Sequence, residues 1–185
     1  MIVQTPNPVL TQKTKPVGKI DKKINQIIDR MKKTLISTRN PRGVGLAAPQ
    51  IGKNLAIFIT RPRNDSPIRV FINPRIISHS NDLAEINREE KSTEAKDEKK
   101  LEGCLSIDNI WGHLKRPSQV KLEYMDLDGQ IRRENFTGFM ATIVQHETDH
   151  LSGILFTQRV LEQKEKLYKI EEDKDGKEKL VEIEI

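Results

Sequence analysis

Long apolar runs are missing from this chain of 185 residues; none approaches the ~18 residues that a membrane-spanning helix needs. Disulfides within the chain are excluded, because Cys104 is the single cysteine. A lone thiol fits a reducing compartment. Aromatic residues make up only 4% and do not cluster with basic ones, which argues against base stacking and sequence-specific readout of nucleic acid. The opening residues show neither a basic segment followed by an apolar one nor an Arg-rich presequence, so the cytoplasm is the expected location, away from membranes. Both the Gly-Lys-Ser/Thr ending of a phosphate loop and the G-x-G-x-x-G spacing are absent. An excess of one charge sign is also small. The net charge of +5 reads as modest and spread out, compatible with polyanions such as the ribosome but not a signature of them.

What the chain does have is charge of both signs. Charged residues make up 32% and apolar ones 35%, with a mean hydropathy of -0.61. At this length one core is attainable without disulfides, and a single catalytic domain over residues 1–185 is expected. Residues 81–100 hold seven acidic and five basic residues and almost nothing apolar, so they read as a charged surface excursion. Residues 162–185 form a charged tail that ends in a probable strand, because apolar and acidic residues alternate from Leu180 onward.

Between these lie periodic segments. Residues 1–18 carry three Pro and no helical period and read as an extended arm. Residues 20–36 place Ile20, Ile24, Ile27, Ile28, Met31 and Leu35 at helical spacing, an N-terminal amphipathic helix. Residues 55–60 and 68–72 read as a hairpin that Asn73-Pro74 breaks, with the strand resuming over 75–78, and 108–112 as a turn. Residues 120–125 and 130–135 form a second hairpin around Asp128-Gly129, and 160–168 a short helix. The apolar segment Phe139, Met140, Ala141, Ile143 and Val144 leads into Gln145-His146-Glu147-Thr148-Asp149-His150, predicting a buried helix over about 137–151.

That helix carries the chemistry. Positions i and i+4 share a helix face, so His146 and His150 can reach one metal ion while Glu147 stands beside a bound water. Two imidazoles are an incomplete site, since a catalytic centre of this type takes three protein ligands and a water. The candidates for the third are Cys104, His79, His113 and the carboxylates, and a thiolate would be the strongest donor. The metal lowers its water's pKa to roughly 7. Glu147 can then act as general acid/base. A side-chain amide or free N–H next to the site would stabilise the oxyanion and complete a hydrolase.

Three blocks now stand together: Gly43-Val44-Gly45-Leu46-Ala47-Ala48-Pro49-Gln50, Glu102-Gly103-Cys104-Leu105-Ser106 and Gln145-His146-Glu147-Thr148-Asp149-His150-Leu151-Ser152-Gly153. In this order they resemble the three signature motifs of peptide deformylase and match at each position that family holds fixed. The resemblance continues through Asn7-Pro8-Val9-Leu10, Asn73-Pro74 and Arg116-Pro117 and covers most of residues 3–160. It implies that Cys104, His146 and His150 hold the metal, commonly Fe²⁺ with Zn²⁺, Ni²⁺ or Co²⁺ as substitutes. It implies Glu147 as general acid/base, and Gln50 with the Leu105 N–H as oxyanion donors. Gly45 would pair with the substrate backbone, and Val44, Phe139, Thr142 and Ile143 would line the methionine pocket. Glu102 and Arg116 would support the ligands. The reaction implied is removal of the formyl group from the formyl-methionine of nascent chains, releasing formate. The fold class implied is α+β, with mixed, mostly antiparallel sheets around the central helix.

Departures from the family pattern are the charged block, the polar Thr142 in an apolar pocket, and the tail after Leu161. A terminal strand there would place the chain with members that end in a strand rather than a helix. Two other readings compete. A zincin-like metallopeptidase would need a ligand downstream of His150, where only acids such as Glu162 and Glu165 stand. A non-catalytic basic module that binds the ribosome would need basic residues grouped with aromatics.

Overall fold

The computed structural model describes residues 1–86, 100–172 and 178–183. Asp21 opens the first helix, α1 (Lys22–Ser37), by accepting the Ile24 N–H at 2.9 Å. This satisfies one of the donors left over at a helix start. Ile24, Ile27, Ile28, Met31 and Leu35 follow at three- and four-residue steps, and all are buried.

Among the described residues, eleven strands follow α1, interrupted by a 3-10 turn at Ala48–Ile51 and by two more α-helices. They are β1 (Gly45–Ala47), β2 (Ile57–Thr60), β3 (Arg69–His79), β4 (Leu83–Glu85), β5 (Leu101–Cys104), β6 (Ile107–His113), β7 (Lys115–Pro117), β8 (Gln119–Met125) and β9 (Ile131–Thr137). Helices α2 (Gly138–Leu151) and α3 (Phe156–Glu162) come next, then β10 (Leu167–Glu172) and β11 (Glu178–Glu182). One sheet runs β1-β2-β3-β8-β9, a second β11-β10-β6-β5, and β4 pairs with β7. Every pairing between these strands is antiparallel.

The five-stranded sheet lies between two helices, and β2 shows how. Side chains alternate across a strand. Ile57 and Ile59 join the cluster under α1, with Leu46, Ile51 and Ile72. Phe58 joins the cluster under α2, with Phe71, Val120, Leu122, Tyr124, Phe136, Ala141, Val144 and Leu151. The scarce aromatics are concentrated there: the Phe71 ring centroid lies 4.6 Å from Phe58, 4.7 Å from Tyr124 and 5.9 Å from Phe136. A third cluster joins Cys104 and Leu114 to Phe156, Val160 and Leu167.

Several expectations change. Asn73-Pro74 does not end a strand; β3 runs through it with a shift in register between Ile72 and Arg75. Asn73, at φ 49°, accepts the Val17 N–H at 2.7 Å and donates to the Val17 carbonyl at 2.8 Å. Its side chain thus imitates a strand partner. Residues 108–112 are not a turn but most of β6, held extended between β5 and β10 despite a positive φ at Asn109. The short helix comes earlier than 160–168: Phe156 and Val160 bury one turn apart, and Lys164 at φ 56° leads the chain out toward β10. Within the charged excursion, β4 is a strand whose three residues are all exposed, so no apolar pattern marks it. Residues 87–99 lie outside those described. The tail contains two strands, β10 and β11, paired as a hairpin.

Replacing Phe71 by Ala removes the centre of the aromatic cluster. The expected loss is about 3–5 kcal/mol of unfolding free energy, read from a urea titration; a loss below 1 kcal/mol would mean the cluster closes over the gap.

Candidate active site

Helix α2 carries its chemistry on the face opposite to the sheet. Phe139, Thr142, Ile143, His146 and His150 fall along one stripe at helical spacing. The two imidazole centroids lie 4.9 Å apart with planes at 75°. Cys104 reaches them from the end of β5, where the register shifts between Gly103 and Cys104. Its Sγ lies 3.2 Å from His150 Nε2. The Cys104 sulfur and one ring nitrogen of each histidine all lie within 4.8 Å of one another.

The other candidates for a third ligand stay away. His79 ends β3, exposed, with Nδ1 against the Ser80 carbonyl. His113 packs edge-on against Tyr168. Glu162 pairs with Arg159. Among the described residues, Cys104, His146 and His150 form the one group of three such donors close enough for a shared ion.

What surrounds this group orients it. His146 Nδ1 lies 2.6 Å from Glu102 Oε1, so that nitrogen is committed and Nε2 is left for a ligand. Glu102 is clamped by Arg116 through Nε at 2.9 Å and Nη2 at 2.7 Å. Arg116 also donates to Asp149 at 2.8 Å, and Asp149 accepts from Arg159 at 2.9 Å. Burial alone would raise the Glu102 carboxyl, but Arg116 and then His146 hold it well below the usual range. Burial would likewise lower His146, yet the Cys104 sulfur and Glu102 hold it well above its usual value. That is the anionic setting a divalent cation would enter. His150, buried beside His146, is held well below its usual value.

Glu147 is the opposite case. It is 3% exposed, and Oε2 has no hydrogen-bond partner in the protein. Burial pushes its carboxyl up to about 7. A side chain on Gly45 would overlap this carboxylate and force it to move, so β1 passes closest to it as glycine. Gln50 lies on the other side of the donor group. Its Oε1 accepts the Ala47 N–H at 2.8 Å, which turns the NH₂ group toward Cys104 Sγ at 3.6 Å and Ser106 Oγ at 3.3 Å. Leu105 and Val44 are partly buried, as are Phe139 and Thr142, while Gly45 and Ile143 are buried.

Asp149 and Arg159 belong to the charge network but escaped the sequence reading. A carboxylate within a buried helix needs a partner, and that requirement was the available signal. Chemically, a sulfur and two imidazoles converge on one point, with a protonatable acid and an oriented amide around it. That combination is the donor set of a metal-dependent hydrolase.

The comparisons agree. A family model described as polypeptide deformylase matches residues 1–166. The peptide deformylase of Pseudothermotoga lettingae is 39% identical over 152 residues, 81% of this chain and 76% of its own. That of Treponema pallidum (strain Nichols) is 36% identical over 157 residues, 85% of each chain. The crystal structure of the Thermotoga maritima enzyme superposes with a TM-score of 0.73 at 31% identity, covering 86% of this chain and 96% of its own. A class I type b enzyme from Acinetobacter baumannii, solved with Met-Ala-Ser bound, gives 0.72 at 32%, covering 86% and 97%. This chain belongs to the peptide deformylase family. Its activity is the family's: metal-dependent removal of the N-formyl group from formyl-methionyl nascent peptides.

Replacing Glu102 by Ala frees the His146 ring and strands Arg116. Metal affinity should fall about 10–100-fold, measured by competition with a chromophoric chelator. Unchanged affinity would mean that Glu102 does not orient the ligand.

Proposed function

We propose that the three sequence blocks act as one deformylation centre, with Cys104, His146 and His150 as the metal ligands. The observation that carries this reading is the convergence of their donor atoms within 4.8 Å, from segments more than forty residues apart. A divalent ion bound there supplies Lewis acidity and a water that ionises near neutral pH. Fe²⁺ is the proposed working metal, with Zn²⁺, Ni²⁺ or Co²⁺ able to replace it, because one sulfur and two imidazoles suit all of these borderline ions.

The protein's own groups do the rest. Glu147 takes the proton of the attacking water at its unpartnered Oε2 and passes it to the departing amine. Gln50 Nε2 and the Leu105 N–H receive the carbonyl oxygen of the formyl group as it gains charge; losing one such donor costs about 10²–10³ in rate. Strand β1 forms an edge of the five-stranded sheet, so Gly45 can pair its backbone with an extended peptide. The first side chain of that peptide enters the space bordered by Val44, Phe139, Thr142 and Ile143. The methionine-first peptide bound by the Acinetobacter relative supports a methionine preference here.

The proposed setting is the cytoplasm, with residues 1–185 as one catalytic unit and the ribosome as the partner that presents the substrate. The charge is less evenly spread than its total implies. Residues 1–63 hold thirteen Lys or Arg against two Asp. Lys22, Lys23, Arg30 and Lys33 are exposed along one side of α1. Co-sedimentation with ribosomes should therefore fall steeply as salt rises; insensitivity to salt would remove this basis.

The zincin-like alternative is not favoured, because no acid downstream of His150 joins the donor group among the described residues. Replacing Glu147 by Ala should leave metal content intact and abolish formate release from a formyl-methionyl peptide. Replacing Cys104 by Ser should weaken metal binding. Full activity and metal content in Cys104→Ser would overturn the ligand assignment.

A further inference from the structure

The N-terminal arm touches all three sequence blocks. Val3 N–H donates to the Gln50 carbonyl at 2.8 Å, and Thr5 N–H to the Ser106 carbonyl at 3.0 Å. Farther along, Thr14 gives both its N–H and its hydroxyl to the Leu151 carbonyl, each at 2.9 Å, one residue past His150. Gly153 meets the arm as well: a side chain there would come within 2.7 Å of the Thr11 backbone. These contacts join pieces that the catalytic centre needs in register.

One contact goes further. Gln4 Nε2 donates to the Leu105 carbonyl at 3.0 Å. That carbonyl and the Ser106 N–H belong to a single peptide unit, and the Ser106 N–H donates to Cys104 Sγ at 3.4 Å. In a trans peptide the C=O and N–H point in opposite directions. Gln4 therefore holds one end of a rigid plane whose other end bonds the sulfur. Hydrogen bonds in such a chain also polarise one another.

We propose that Gln4 is a positioning residue for deformylation, acting through the Leu105–Ser106 peptide on the Cys104 sulfur and on the neighbouring Leu105 N–H. The proposal rests on Cys104 being a metal ligand. Without the Gln4 amide, the peptide plane is free to rock. The N–H···S bond then weakens, and the oxyanion donor one residue back loses its fixed direction. Gln4 is exposed, so its replacement does not disturb the core.

The test uses the full chain with Gln4→Met, which keeps the shape and removes the donor, and Gln4→Lys, which restores one. A neutral hydrogen bond of this kind corresponds to roughly a five-fold effect. Gln4→Met should lower kcat about five-fold with KM unchanged, and Gln4→Lys should recover most of it. In the metal-free protein, the Ser106 amide should exchange with D₂O faster in Gln4→Met than in the parent. With Co²⁺ bound, the sulfur-to-cobalt charge-transfer band should shift in the same variant. Parental kcat and parental Ser106 exchange in Gln4→Met would overturn the proposal. So would a fall in thermal stability with no change in exchange, because that is what a merely structural contact would give. Cys104→Ser is the control: if it retains metal and activity, the ligand assignment fails and this proposal with it. If it loses both while Gln4→Met behaves as the parent, the Gln4 proposal alone fails.

Discussion

Arg116 joins two carboxylates, of which the buried Glu102 has no other permanent counter-charge in contact. It is 7% exposed and bonds Glu102 with two nitrogens and Asp149 with a third. Moving such ions out of water costs several kcal/mol each, and only complete pairing offsets the cost. Pairing here is nearly complete, because Arg159 takes the other oxygen of Asp149 and His146 shares Glu102. The network ties β5, β7, α2 and α3 together at the point where the Cys104, His146 and His150 donors meet. Loosening any member leaves a charge stranded, so the geometry of His146 is over-determined. A ligand ring that must present one particular nitrogen benefits from that rigidity.

The same buried space treats two glutamates in opposite ways. Glu102 lies against a guanidinium and stays ionised, with its carboxyl held far below the usual range. Glu147, one residue from His146, has no such partner, and burial raises its carboxyl toward neutrality. Environment alone separates a fixed anion from a group that can carry a proton. Gly45 extends this logic to the backbone. Its missing side chain makes room for the Glu147 carboxylate, on a strand that the sheet order leaves at an edge. Glu147 and the free edge of β1 are thus close neighbours at Gly45.

Around this centre the chain is arranged as supports. The five-stranded sheet is packed on both faces, so α2 rests on a rigid base. The β10–β11 hairpin extends the second sheet, which carries Cys104 at its far edge. The arm crosses from one block to the next and fastens them by main-chain bonds. Supports of this kind need few special residues. Backbone amides and one exposed glutamine do most of the fastening, which is why composition says nothing of them.

The family and the residues of the donor group were legible in the sequence, because spacing along one helix and three short blocks encode them locally. His146 and His150 share a face by the pitch of the helix, whatever the rest of the chain does. The third member of the donor group was open among Cys104, His79, His113 and the carboxylates as long as only spacing was considered. Chain pairing brings Cys104 to the two imidazoles, since β5 ends beside α2 while β3 and β6 carry the other two rings elsewhere. Tertiary structure alone also made a strand of residues 108–112, carried β3 through Asn73-Pro74 and joined Asp149 to Arg159. In each case a deciding partner lies eight or more residues away. Local propensity cannot register a partner that only folding brings near.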